Sequence, residues 1–143
     1  MSPLTLSEEH AATAADGAPV VDGLRAFNRR HRPDSDPQPL QVLLRDEAGT
    51  IQGGLLATTR WHWLFVDVLW VADDHRGRGH GSALLGRAEA IARGRGCRRV
   101  ALDTAEFQAL GFYQKAGYRV FGELDDRPPG SKTFYLEKDL GGL

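Results

Sequence analysis

Residues 76–82 read Arg-Gly-Arg-Gly-His-Gly-Ser, with glycines at alternate positions among basic residues. The apolar run 64–71 precedes them and Leu84-Leu85 follows, so the segment falls between a buried strand and a helix. Glycine lets a backbone approach a ligand closely and take positive φ. The first turn of a helix has unpaired N–H groups and the positive end of a dipole. Together these make an anion site suited to pyrophosphate, with Arg76 and Arg78 adding charge. The ending Gly-Lys-Ser/Thr of a P-loop is missing, and the Gly-x-Gly-x-Gly spacing is not that of a dinucleotide fingerprint.

A second feature is Asp67, the only charge between Trp63 and Val71. A lone carboxylate inside a strand is costly unless it is paired or reaches a wet cleft. Burial would raise its pKa toward the range of a general base. The alternative is an Asp paired with an arginine or capped by backbone.

Arg76-x-x-Gly79-x-Gly81 resembles the Gln/Arg-x-x-Gly-x-Gly/Ala motif of the GNAT family of N-acetyltransferases. About thirty residues on, Phe112-Tyr113-Gln114-Lys115-Ala116-Gly117-Tyr118 is similar to that family's Phe-Tyr-x-Lys-x-Gly-Phe/Tyr segment. The resemblance runs from about Leu40 to Leu140 and points to a subgroup of small bacterial acetyltransferases. It implies an α/β (α+β) fold with a mixed, mostly antiparallel sheet flanked by helices. An acyl-CoA cleft would lie between splayed central strands. Backbone amides of Arg76, Gly77, Arg78, Gly79, His80, Gly81 and Ser82 would hold the pyrophosphate of acetyl-CoA. Backbone groups near Leu69 and Val71 would pair with the pantetheine arm, and an N–H near Leu69 would face the thioester oxygen.

By the same resemblance, Tyr113 is the general acid that protonates the leaving thiolate, and Asp67 is the base. Glu106 stands where many members carry an Asn that holds pantetheine, which leaves that task to backbone or to Gln108. Ser131 stands where the subgroup often has His. The implied activity is acetyl transfer from acetyl-CoA to a primary amine of a small cationic molecule, directly in a ternary complex. Two rivals are a protein or peptide N-acetyltransferase and a non-catalytic acyl-CoA-binding regulator. A module binding ATP or NAD is a weaker third. No metal is implied, because no His or Cys spacing suggests one.

The elements that must position these residues can be read from periodicity. Residues 4–6 read as a short strand and 11–17 as a loop or frayed helix. Val20, Val21, Leu24 and Phe27 recur at helical spacing, which predicts a helix over 19–31. Pro33, Pro37 and Pro39 then make a stiff linker. Strands are expected at 40–44 and 51–58, joined by the hairpin turn 46–50, and at 61–71. A helix over 79–93 puts Leu84, Leu85, Ala88, Ile91 and Ala92 on one arc, with Glu89 outside it. A strand at 100–102, a helix over 105–116 and strands at 118–121 and 133–136 complete the chain. Thr104 is expected to cap the helix after its strand, with Asp103 beside it. Trp61, His62 and Trp63 are candidates for an acceptor pocket or for cross-strand packing.

At 143 residues with a formal net charge of −1, the composition predicts one domain over 1–143. The near-neutral charge implies no general nucleic-acid or membrane partner. A small-molecule amine is the expected partner, and a homodimer is left open. The one Cys97 fits a reducing compartment. With no apolar run of spanning length and no signal-peptide pattern at the start, a cytoplasmic protein is expected.

Overall fold

A computed structural model of the protein describes residues 2–141. These fall into two units, one ending at Asp36 and one beginning at Pro37.

The first unit is built on α1 (Ala14–His31). Thr13 caps it, its hydroxyl accepting from the Asp16 N–H at 3.2 Å. The helix therefore starts five residues before the expected Pro19, which lies inside it. The cap and the alanines after it supply a start that the proline obscures in the sequence. Its end is held by ion pairs from Arg29 to Asp36 and from Arg32 to Asp34. The Ser35 hydroxyl donates to the carbonyls of Asn28 and Arg32. Val20, Val21, Leu24 and Phe27 do fall on the helix, but each is at least 48% exposed. The strand expected at 4–6 does not form, and Leu4 and Leu6 are fully exposed.

In the second unit six strands make one sheet in the order β1-β2-β3-β4-β6-β5. They are β1 (Gln38–Arg45), β2 (Ile51–Arg60), β3 (Trp63–Val71), β4 (Arg99–Ala105), β5 (Arg119–Asp125) and β6 (Lys132–Asp139). All neighbours are antiparallel except β3 and β4. The turn before β2 is closed by Asp46, whose carboxylate accepts from the N–H groups of Ala48 and Thr50 and from Gln52. Those hydrogen bonds hold its carboxyl below the usual range.

Side chains alternate between the two faces of a strand. Leu55, Leu64, Val66, Val100, Leu102 and Leu136 turn to one face and form the core with Leu84, Leu85, Ala88 and Ala92 of α2 (His80–Gly94). Burying each large apolar side chain is worth roughly 1.5–3 kcal/mol. Glu89, expected outside this arc, is only 6% exposed. Its carboxylate accepts from the Tyr118 hydroxyl at 2.7 Å and from Lys138 Nζ at 3.0 Å. A buried charge needs such partners, and both come from segments more than twenty residues away in sequence.

Two further boundaries differ. Trp61 and His62 are not strand but the turn between β2 and β3, at φ 51° and 68°. The helix expected over 105–116 is only α3 (Leu110–Lys115). β4 runs on to Ala105 because Thr104 and Ala105 pair with Phe134 and Thr133 of β6. The chain then turns through residues 106–109 before α3 begins.

Candidate active site

The site begins where two strands stop pairing. β3 and β4 are in register only at Trp63–Arg99, Leu64–Val100 and Phe65–Ala101. On its other edge β3 pairs with β2, but Ala57 faces Val66 while Leu56 faces Val68. Asp67 is thus an extra residue with no partner in β2, a bulge that bends the strand. β4 meanwhile stays paired with β6 through Ala105. The two strands therefore separate beyond Phe65. Leu69 and Val71 pair with β2 on one side only, and their edge toward β4 is left without a strand. An extended amide-bearing arm can pair with such an edge as a strand would.

The cleft continues to the start of α2. Gly79 is the residue before the helix, at φ 84°, with no side-chain cap. Gly77 has φ 74°. Positive φ is strained for residues with a Cβ, so these two glycines are required by backbone conformation. The first helical bond is from the Ala83 N–H to the Gly79 carbonyl at 3.0 Å. The N–H groups of His80, Gly81 and Ser82 before it have no partner within the helix. They line one end of a cleft of about 660 Å³. The Arg76 guanidinium is held there by the Val71 carbonyl at 2.9 Å and by Asp73 at 3.1 Å. His75 and His80 meet edge to face, 6.3 Å between ring centres, and both line the cleft.

The opposite wall comes from the turn after β4 and from α3. Gln108 folds back, its amide oxygen accepting from the Ala105 N–H at 2.8 Å. Thr104 accepts from the Ala109 N–H at 3.3 Å, so it fastens the turn into α3 as its capping role suggested. Glu106 and Ser131, the two departures from the resembled motif, touch each other: the Ser131 hydroxyl donates to Glu106 at 2.9 Å. This ties the turn to the loop between β5 and β6. Phe112 lies against the start of α2, where a Cβ on Gly81 would be 3.4 Å from its ring.

Tyr113 is 7% exposed and lines the cleft. Its ring packs edge-on against Phe112 and Tyr118. Its hydroxyl makes no hydrogen bond within the described chain, yet no fully buried polar side-chain atom there lacks a partner. The oxygen therefore opens into the cleft. Burial, then the charge of Asp103, pushes its phenol above the ordinary value. It stays protonated at neutral pH.

Leu69, Val71, Arg76, Gly77, Gly79, His80, Gly81, Ser82, Gln108 and Tyr113 all line this one cleft. Arg78 does not, and points into solvent. Asp67 is exposed at the bulge, so the burial invoked to make it a base is absent. Trp61 and His62 lie at the far end of β3 from the gap. There Arg60 covers the Trp61 ring and the His62 imidazole pairs with the Gly96 carbonyl. The sequence reading also missed Trp70, His75, Phe107 and Phe112, which line the cleft. Phe112 also packs against the core, and Tyr113 is the more buried of the two. An apolar Phe107 in a turn, with nothing nearby in sequence to cover it, was the available signal.

A sheet split beside a bulge, with a glycine-led helix start at one end, defines a class. Residues 9–118 match the model of the Acetyltransferase (GNAT) family, and the chain belongs to that family of acetyltransferases. It is 44% identical to the blasticidin-S acetyltransferase of Streptomyces morookaense over 82% of this chain and 88% of that protein. It is 35% identical to the acetyltransferase Atu2258 of Agrobacterium fabrum over 83% and 87%. Among solved structures, a putative acetyltransferase from Agrobacterium tumefaciens superposes with a TM-score of 0.90 at 32% identity, covering 95% of this chain and 99% of that one. No described helix is long and apolar enough to cross a membrane.

Proposed function

We propose that this acetyltransferase is a single-domain cytoplasmic enzyme that moves the acetyl group of acetyl-CoA to a primary amine of a small cationic molecule, directly within a ternary complex. The observation that carries this reading is the gap between β3 and β4, which joins the start of α2 to the open hydroxyl of Tyr113. The residues present suit acetyl-CoA. Three helix-start N–H groups and Arg76 offer donors to a pyrophosphate, and the free edge at Leu69 and Val71 offers pairing to an amide-bearing arm. Blasticidin-S acetyltransferase, as a relative, supports an antibiotic amine as the acceptor.

Acetyl-CoA supplies an activated acyl group. The new bond joins the amine nitrogen to the carbonyl carbon, and the carbon–sulfur bond breaks. Two reactants held in one gap gain roughly 7–11 kcal/mol over free encounter. The amine must shed a proton, and Asp67 beside the gap takes it, directly or through water. The Tyr113 hydroxyl hydrogen-bonds to the sulfur as charge grows there and gives up its proton to it.

The test is a panel of small amines, blasticidin S included, assayed with acetyl-CoA by release of free thiol. Turnover of a small basic amine with one acetyl group added by mass is the expected result. Binding of acetyl-CoA without turnover of any amine would leave a binding protein instead.

A further inference from the structure

The Tyr113 hydroxyl has no hydrogen bond inside the described chain, so its aim rests on what grips the ring. Locally that grip comes from the end of α3. Gly117 takes φ 96° and stops the helix. The Gly117 N–H donates to the Gln114 carbonyl at 3.1 Å, and the Tyr118 N–H donates to the Tyr113 carbonyl at 3.0 Å. In such a glycine-ended stop the residue after the glycine commonly touches the one five places before it. Here that contact is between two rings, Tyr113 and Tyr118, with centres 5.8 Å apart and planes at 69°. Phe112 also meets the Tyr113 ring edge-on, but it is only half-buried and lines the cleft itself.

A helix stop of this kind needs no more than an apolar side chain at 118. Tyr118 carries a hydroxyl as well, and it donates to Glu89 Oε2 at 2.7 Å. Lys138 Nζ donates to both oxygens of the same carboxylate, at 3.0 and 3.2 Å. Tyr118 is 3% exposed and Glu89 6%. Taking a carboxylate out of water is costly, and apolar residues at 89 and 118 would fill the same space without that cost. What a satisfied polar network adds is a fixed direction, because it rigidifies the groups that it joins.

The direction matters at this place. Glu89 belongs to α2, the helix whose start carries the unpaired N–H groups of the cleft. Lys138 comes from β6 and Tyr118 from the segment between α3 and β5. The ring that touches Tyr113 is therefore tied to the element that would hold the pyrophosphate. Transfer of an acyl group requires the reacting atoms to be held at near-contact distances.

We propose that Tyr118, Glu89 and Lys138 are positioning residues for Tyr113: Glu89 fixes the Tyr118 ring, and that ring fixes where the Tyr113 hydroxyl points relative to the start of α2. This rests on the general-acid reading of Tyr113 and names the residues that aim it.

The experiment is a double-mutant cycle. Tyr118→Phe and Glu89→Gln are made alone and together with Tyr113→Phe, and thiol release is followed with an amine that wild type acetylates. Tyr118→Phe is expected to lower kcat at least ~10-fold, since a displacement of about 1 Å can cost ~100-fold. KM for the amine and acetyl-CoA affinity should stay near wild type. Glu89→Gln, whose amide oxygen still accepts from Tyr118, should lower kcat less. In the Tyr113→Phe background neither change should lower kcat further, whereas residues that serve only the fold would lower it by the same factor in both backgrounds. Wild-type kcat in Tyr118→Phe, or an equal loss in both backgrounds, overturns the network and leaves the general acid standing. Wild-type kcat in Tyr113→Phe with chemistry rate-limiting overturns both, as does a wild type that acetylates no amine. Should Tyr118→Phe fail to fold, the cycle with Glu89→Gln decides in the same way.

Discussion

The two sides of the gap are built from different materials. On the α2 side the main chain does the holding: N–H groups at a helix start, two glycines at positive φ and a strand edge without a neighbour. Its side chains mostly serve as walls. On the other side β3 carries a bulge, and what stands at the lip is an exposed side chain, Asp67, to which the proposed mechanism gives the amine's proton. Main-chain donors demand a conformation, and here that conformation demands glycine at 77 and 79. A side-chain carboxylate demands a position. A ligand gripped by backbone can thus be shared among many relatives, while the acceptor can change with one or two substitutions.

Tyr113 belongs to both sides, and its removal should have the largest effect. Tyr113→Phe is expected to lower kcat by at least ~100-fold, the lower part of the range for general acid catalysis. Acetyl-CoA affinity should hardly move, because the hydroxyl acts as the carbon–sulfur bond breaks. Steady-state kinetics with titration calorimetry check this. Wild-type turnover with chemistry rate-limiting would make the residue a packing tyrosine.

A cleft held by conformation should be sensitive at a glycine whose surroundings are empty. A Cβ at Gly79 meets nothing within 4 Å, yet its φ is 84°. Gly79→Val is expected to weaken acetyl-CoA binding at least tenfold, about 1.4 kcal/mol, with KM for the amine little changed. If calorimetry finds unchanged affinity in the folded variant, the backbone cradle is the wrong account.

On the carboxylate side the effect should be milder. Asp67→Asn is expected to lower turnover by less than ~100-fold, because Asp67 stands in water and solvent can relay the proton. The defect should shrink as pH rises and the amine loses its proton unaided. A pH–rate profile identical to that of wild type would remove Asp67 from the mechanism.

The smallest effect contrasts two tyrosines packed edge to edge, with ring centres 5.8 Å apart. Tyr113 opens to the cleft; Tyr118 is sealed against Glu89. Burial first, then the Glu89 hydrogen bond and charge, push the Tyr118 phenol far above its ordinary value. The folded state thus keeps this proton where the unfolded chain loses it. The stabilisation is fully present below about pH 10 and falls above it, by about 1.4 kcal/mol per pH unit. Denaturant unfolding from pH 9 to 11 should show a shallower decline for Tyr118→Phe. An equal slope would mean that Tyr118 does not hold its proton in the fold.

Local pattern made much of the cleft legible. Glycines at 77 and 79, an apolar arc on α2 and the second motif around Tyr113 all depend on neighbours in sequence. The strands from β1 to β4 were placed within a few residues for the same reason: alternation and turn residues are local signals. α1 was read from spacing alone, and its early start was missed because Pro19 masks the Thr13 cap.

By itself, then, the sequence determined the order of elements from α1 onward and the glycine-led helix start. Tertiary structure alone decided the rest. Asp67 became a bulge because of how β2 registers against β3, and that register depends on a partner strand. The gap opened only when β4 joined β3 for three residue pairs and then left it. Glu89 was drawn inside by Tyr118 and Lys138, and of two neighbouring rings Tyr113 became the more buried and Phe112 the less. Each of these depends on pairing or burial between segments far apart in the chain, which spacing along one segment does not encode.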